Sequence, residues 1–153
     1  MKFSEIISSN QIVLDLKASD RWAAIEELVG ILVAQKCIEE SRRDTVIQAV
    51  KNREKTMSTG IGFGIAIPHA STDAITKVTA VLARSTGGIN FDSLDNQPVK
   101  LVVLFLVPAG QYQQHLKTLA SISRFLNDRD FREQAEQART SDDLYQLILK
   151  RES

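Results

Sequence analysis

Apolar and polar positions along this chain repeat with two different periods, and the change of period marks out its elements. Ile12-Val13-Leu14 is a short strand candidate, and a helix from about Ser19 to Lys36 places Trp22, Ile25, Val29, Leu32 and Val33 on one face. Ser19 or Asp20 is the expected cap of that helix. A second helix is expected from Ser41, whose spacing to Asp44 has the form of a capping box; it turns Val46, Ile47 and Val50 inward and brings Arg53 to its exit. Val78 to Ala83 and Leu101 to Val107 read as central strands. The second is apolar without interruption, which predicts burial on both faces. Gly87-Gly88 and Asn96-Gln97-Pro98 punctuate the connection between them. Leu116, Leu119, Ile122, Ser123 and Leu126 then form an amphipathic stripe, Phe131 to Ala138 a shorter helix, and Thr140 with Asp143 caps a last helix running to about Lys150. No long linker, repeat or low-complexity tract interrupts the pattern. The prediction is an α/β fold: a single-domain sandwich over residues 1–153, with five helices around a small mixed β-sheet.

The stretch from Ser58 to His69 departs from both periods. Gly60, Gly62 and Gly64 remove every second side chain, so the backbone can take positive φ and another surface can approach it closely. Ile65-Ala66-Ile67 reads as a short buried strand, which Pro68 is expected to end by withdrawing a ladder donor. His69, one of two histidines in the chain, then sits at a strand end with its ring expected to face solvent or a partner.

Composition narrows the classes. Lys plus Arg and Asp plus Glu are both 19, so the formal net charge is zero and no basic excess exists for counterion release from nucleic acid. The longest apolar run, Leu101 to Val107, is far shorter than the roughly 20 residues that span a bilayer. Residues 1–10 carry charge and no apolar signal core, and a lone Cys37, read as a small buried hydrophobe, has no thiol partner. A cytoplasmic protein is expected, with neither nucleic acid nor membrane insertion among its partners.

Arg53-Glu54 followed by Ser58 to His69 resembles the phosphorylation site of the IIA proteins of the bacterial phosphoenolpyruvate-dependent phosphotransferase system, in the fructose/mannitol superfamily (EIIA type 2). The resemblance extends through Asn96-Gln97-Pro98-Val99, the strand Leu101 to Val107, Pro108-Ala109-Gly110-Gln111 and His115-Leu116, and is greatest to the free-standing nitrogen-regulatory branch. Phe63 stands where that branch often has a polar residue. Ala70-Ser71-Thr72 stands where it often has glycine and a basic side chain.

The resemblance implies a phosphotransferase component that carries a phosphoryl group on His69 and needs no ATP site and no cofactor. A neutral imidazole is a competent nucleophile for phosphorus at pH 7, and phosphoryl transfer asks mainly for positioning and charge stabilisation. Arg53 resembles the family arginine that faces the phosphoryl group, and His115 the second active-site histidine, near a helix start that favours anions. Ser58 and Thr59 could donate to the phosphoryl group or merely order the turn. Phe63 could anchor a partner or pack on its own domain. The implied donor is a phosphorylated HPr-like (or NPr-like) protein, with regulatory targets that read the phosphorylation state. Three rivals stand beside this reading: a sugar-specific IIA that donates to a transporter IIB domain, an unmodified protein-binding module, and a metal-assisted hydrolase built on His69, His115 and Asp73. The spacing of those three residues does not demand a metal. The glycines match neither a P-loop nor a dinucleotide fingerprint, and Asp92 and Asp95 are expected in a turn.

Overall fold

The strand from Val99 to Pro108 is the axis of the molecule, and every position along it except Lys100 is buried. This computed structural model describes residues 2–152. In chain order the elements are β1 (Ile12–Val13), α1 (Arg21–Ala34), α2 (Arg43–Thr56), β2 (Gly60–Gly62), β3 (Ile65–Ala66), β4 (His69–Thr72), β5 (Thr79–Ile89), β6 (Val99–Pro108), α3 (Leu116–Asn127), α4 (Arg129–Gln137) and α5 (Ser141–Glu152), with short 3-10 turns between. The sheet is mixed. Its order is β1-β5-β6-β3-β2, with β4 also paired to β6; β5 runs antiparallel to β6, while β3 and β4 run parallel to it.

The period-2 geometry of a strand explains why β6 is apolar throughout. Val102, Leu104 and Leu106 enter one core with Ile25, Leu28 and Val29 of α1 and Val46 and Val50 of α2. Leu101, Val103, Phe105 and Val107 enter the other with Ile122 and Leu126 of α3, Phe131 of α4 and Leu144 and Ile148 of α5. The sheet is thus covered on both faces, as the uninterrupted apolar run requires.

Several boundaries differ from expectation. Asp20, rather than Ser19, caps α1, its carboxylate accepting from the Ala23 N–H at 2.9 Å. Ser41 caps nothing: a 3-10 turn over Glu40–Arg42 precedes α2, whose start at Arg43 has no side-chain cap. Thr140 does cap α5, its hydroxyl accepting from the Asp143 N–H at 3.0 Å. Gly87-Gly88 lies inside β5 at a shift of register and does not end the strand. Leu116 is exposed at the start of α3, and Cys37 is only half-buried.

The largest departure is at Pro68. The proline interrupts pairing only over Ile67 and itself, and the chain resumes as β4 alongside the second half of β6, with His69 opposite Phe105 and Thr72 opposite Pro108. The cause is β6, whose buried edge would otherwise leave unpaired N–H and C=O groups. Even the proline contributes, its carbonyl accepting from the Phe105 N–H at 3.0 Å.

Candidate functional site

His69 is therefore a strand residue, and only 8% of its surface is exposed, which corrects the expectation of a ring standing free. One edge of it opens into a surface depression of about 320 Å³, lined by Ala49 and Arg53 of α2, His69, Ala70 and Ser71 of β4, and Tyr112. α2 packs along β4, so the helix exit that carries Arg53 and the strand that carries His69 meet across this depression.

Both imidazole nitrogens have a partner, one close and one distant. Nδ1 lies 2.8 Å from the Ile67 carbonyl oxygen. A carbonyl only accepts, so Nδ1 carries the ring hydrogen and Nε2 carries the lone pair. Nε2 faces the Tyr112 hydroxyl at 3.4 Å, and the two rings lie nearly parallel, 13° apart, with centroids separated by 6.0 Å. The His69 pKa is lowered, chiefly by burial, and further by the nearby Arg53 charge; the Ile67 hydrogen bond and Glu54 oppose the shift. Burial, the largest cause, outweighs the Ile67 hydrogen bond and favours the neutral, nucleophilic ring.

Behind the histidine lies a chain of hydrogen bonds that holds the Ile67 carbonyl in place. Glu54, 1% exposed, accepts from the Thr59 N–H at 2.9 Å and from its hydroxyl at 2.6 Å, and pairs with Arg21 at 3.3 Å. The Thr59 carbonyl in turn accepts from the Ile67 N–H at 3.1 Å. Ser58 donates to the Phe91 carbonyl and accepts from the Gly60 N–H at 3.1 Å. The hydroxyls of Ser58 and Thr59 are thus engaged in ordering the turn. A Cβ on Gly60 would crowd Ser93 Oγ and stand 3.1 Å from the Cβ atoms of Phe91 and Ser93, which favours glycine there.

Of the remaining candidates, Arg53 shares the depression with His69, while His115 and Phe63 lie outside it. Arg53 donates one N–H to the Met57 carbonyl at 3.0 Å, and the rest of its fork has no partner among the described residues. His115 flanks the start of α3, three residues beyond Tyr112, and its ring neither lines the depression nor hydrogen-bonds among the described residues. Phe63 occupies the turn between β2 and β3 at φ +59°, 69% exposed, with its N–H on Asp95 at 3.1 Å and its ring 5.5 Å from the Arg132 guanidinium. Asp95 also accepts from the Gln97 N–H and Asp92 stands at φ +55°, both in the expected turn. Asp73 is paired with Arg42. Among the described residues no three His, Cys, Asp or Glu side chains converge on a metal position, so His69, His115 and Asp73 form no ligand set.

The model of one protein family, described as the phosphoenolpyruvate-dependent sugar phosphotransferase system, EIIA 2, matches residues 5–151. The chain belongs to this family of phosphotransfer components. It is 40% identical over 150 residues to a fructose-specific EIIA component of Haloferax volcanii, covering 96% of each chain. It is 32% identical over 148 residues to a nitrogen regulatory protein of Bradyrhizobium diazoefficiens, covering 97% of this chain and 95% of that one. The crystal structure of the nitrogen regulatory protein IIA-Ntr from Neisseria meningitidis superposes with a TM-score of 0.85 at 26% identity, over 95% of this chain and 97% of that one.

Two residues around His69 were given no role in the sequence reading. Tyr112 lies far from His69 in the chain, and its only signal was its place between Gly110-Gln111 and His115 in the run that carries the resemblance. Glu54 belongs to the Arg53-Glu54 pair that carries the resemblance, but nothing in the sequence shows that its carboxylate is buried.

Proposed function

We propose that His69 accepts a phosphoryl group from a phosphorylated HPr-like protein, and that its Nε2 is the attacking atom. The observation that carries this is the 2.8 Å contact of Nδ1 with the Ile67 carbonyl, which leaves the lone pair on Nε2, beside Tyr112, a residue that lines the depression with His69. The Nε2 lone pair forms the new N–P bond as the N–P bond of the donor phosphohistidine breaks, and that bonding pair returns to the donor imidazole. The phosphoryl unit moves whole, and Nδ1 keeps its hydrogen on Ile67. No general base is required.

Arg53 faces the same depression, and its unspent N–H groups suit the phosphoryl oxygens in the loose transition state. His115 is assigned a supporting part by resemblance alone. Phe63, with the exposed Leu94 on the adjoining turn and Met57 at the end of α2, offers apolar contact to the docking donor. Among the described residues no helix is long and apolar enough to cross a membrane, which suits a cytoplasmic carrier. Roughly two negative charges added at this surface would alter the docking of regulatory targets through repulsion and desolvation.

A second reading, donation onward to a sugar transporter's IIB domain, is favoured by the 40% identity to a fructose-specific EIIA component. The test is incubation with phosphoenolpyruvate, enzyme I and HPr, followed by intact mass measurement. One acid-labile phosphoryl group is expected on the wild type and none on His69→Ala; undiminished labelling of that variant refutes the assignment. Adding a fructose-type IIB domain to the labelled protein separates the two downstream roles. Rapid loss of label to IIB supports the transport reading, and retention supports regulation.

A further inference from the structure

We infer that Tyr112 is a positioning residue of this site, its hydroxyl holding the Nε2 lone pair of unmodified His69 and passing to a phosphoryl oxygen once the Nε2–P bond has formed. The inference rests on the reading of His69 as acceptor. With the ring hydrogen on Nδ1, Nε2 has nothing to donate, so in the 3.4 Å contact Tyr112 is the donor. That hydroxyl therefore occupies the one atom at which phosphorus must arrive.

The contact is long, so it is a weak bond that an incoming group displaces at little cost. The Tyr112 ring packs against the second core, while its short 3-10 turn is held by local bonds, His115 N–H to Tyr112 carbonyl among them. Rotation about the phenolic C–O bond is all that redirection needs. After transfer Nε2 has no lone pair left, and the oxygens on the phosphorus it carries become the nearest new acceptors. A hydrogen bond to those anionic oxygens is stronger than the neutral bond it replaces. The hydroxyl thus stabilises the phosphorylated state more than the free one, and the parallel ring shields one side of the adduct from water.

The charged groups acting on His69 are Arg53 and Glu54 from α2, and both remain in a Tyr112→Phe variant, which keeps the ring stack and removes only the hydroxyl. Two measurements are made on that variant. In an NMR titration of the unmodified protein the His69 pKa is expected to rise relative to wild type, because a donor to the neutral ring has gone; an unchanged pKa overturns the capping half of the inference. In the phosphorylated protein, hydrolysis of the label is expected to quicken about five- to tenfold, from loss of the charge-assisted hydrogen bond to the phosphoryl oxygens. A wild-type hydrolysis rate in Tyr112→Phe overturns the second half. Wild type that takes no label on His69 removes the acceptor reading itself, an outcome distinct from labelled wild type with an unaffected variant.

Discussion

Replacing Glu54 tests whether His69 is held from behind. The carboxylate is buried, accepts two hydrogen bonds from Thr59 and pairs with Arg21, whose side chain is only 18% exposed. Glu54→Ala leaves the Thr59 N–H and hydroxyl without acceptors and Arg21 without its buried partner. Removing one member of such a buried pair costs about 3–5 kcal/mol. Glu54→Gln keeps the shape and one acceptor oxygen but exchanges charge-assisted bonds for neutral ones, for a cost of about 1–2 kcal/mol. At this chain length, about 2–4 °C of melting temperature per kcal/mol puts the alanine variant roughly 6–20 °C below wild type. Urea denaturation measures both variants, with Arg129→Ala as the comparison, since its pair with Glu133 is exposed on both sides and its loss is expected to have no measurable effect. Because Thr59 holds Ile67 and Ile67 holds His69 Nδ1, Glu54→Gln is also expected to slow phosphoryl acceptance while remaining folded. Glu54→Ala within 0.5 kcal/mol of wild type would refute the reasoning, because it would mean that water or another donor set replaces the network freely.

Three further outcomes follow from the same geometry. The lowered His69 pKa means that the unfolded chain binds the proton more readily than the folded one; the stabilisation from the neutral buried ring is complete above the unfolded value of about 6.5 and is lost as pH falls from there through the folded value. Wild type should therefore lose stability relative to His69→Gln on acidification below about pH 6.5, and parallel unfolding curves across that range would contradict the burial argument. Phe63→Gly should leave stability within about 1 kcal/mol of wild type, since relief of an L side chain at φ +59° offsets the greater freedom of glycine in the unfolded chain, while raising the concentration of phosphorylated donor needed for half-maximal labelling; a larger loss of stability would show that the ring serves the fold. Gly60→Ala should cost about 1–3 kcal/mol, because its Cβ would crowd Ser93 Oγ and meet the Phe91 and Ser93 Cβ atoms at 3.1 Å, and a neutral result by denaturation would mean that the turn yields.

The hydrophobic pattern was sufficient for the elements whose periodicity is sustained. β6 was legible as a doubly buried strand because each of its faces meets a helical layer, and Asp20 and Thr140 were legible as caps because capping is a local exchange between a side chain and a nearby N–H. Short elements were not. β4 lies in His69-Ala70-Ser71-Thr72, a stretch with no strand signature, and exists because a distant strand needs its edge satisfied. The site divides in the same way. His69 and Arg53 could be named from the chain, since the glycine run, the proline and their order along it carry the resemblance. The tautomer of His69, the engagement of the Ser58 and Thr59 hydroxyls, the burial of Glu54 and the approach of Tyr112 depend on groups that meet only across the sheet.

By itself, then, the amino-acid order determined which segments bury which faces, because periodicity and caps act over a few residues, and through its resemblance it singled out His69 and Arg53 as candidates for the chemistry. The tertiary structure alone decided that the histidine is a buried strand residue with its lone pair on Nε2. Hydrogen-bond partners such as the Ile67 carbonyl and the Tyr112 hydroxyl are assigned by long-range pairing, and a polar group taken out of water must accept whatever partner the fold brings to it.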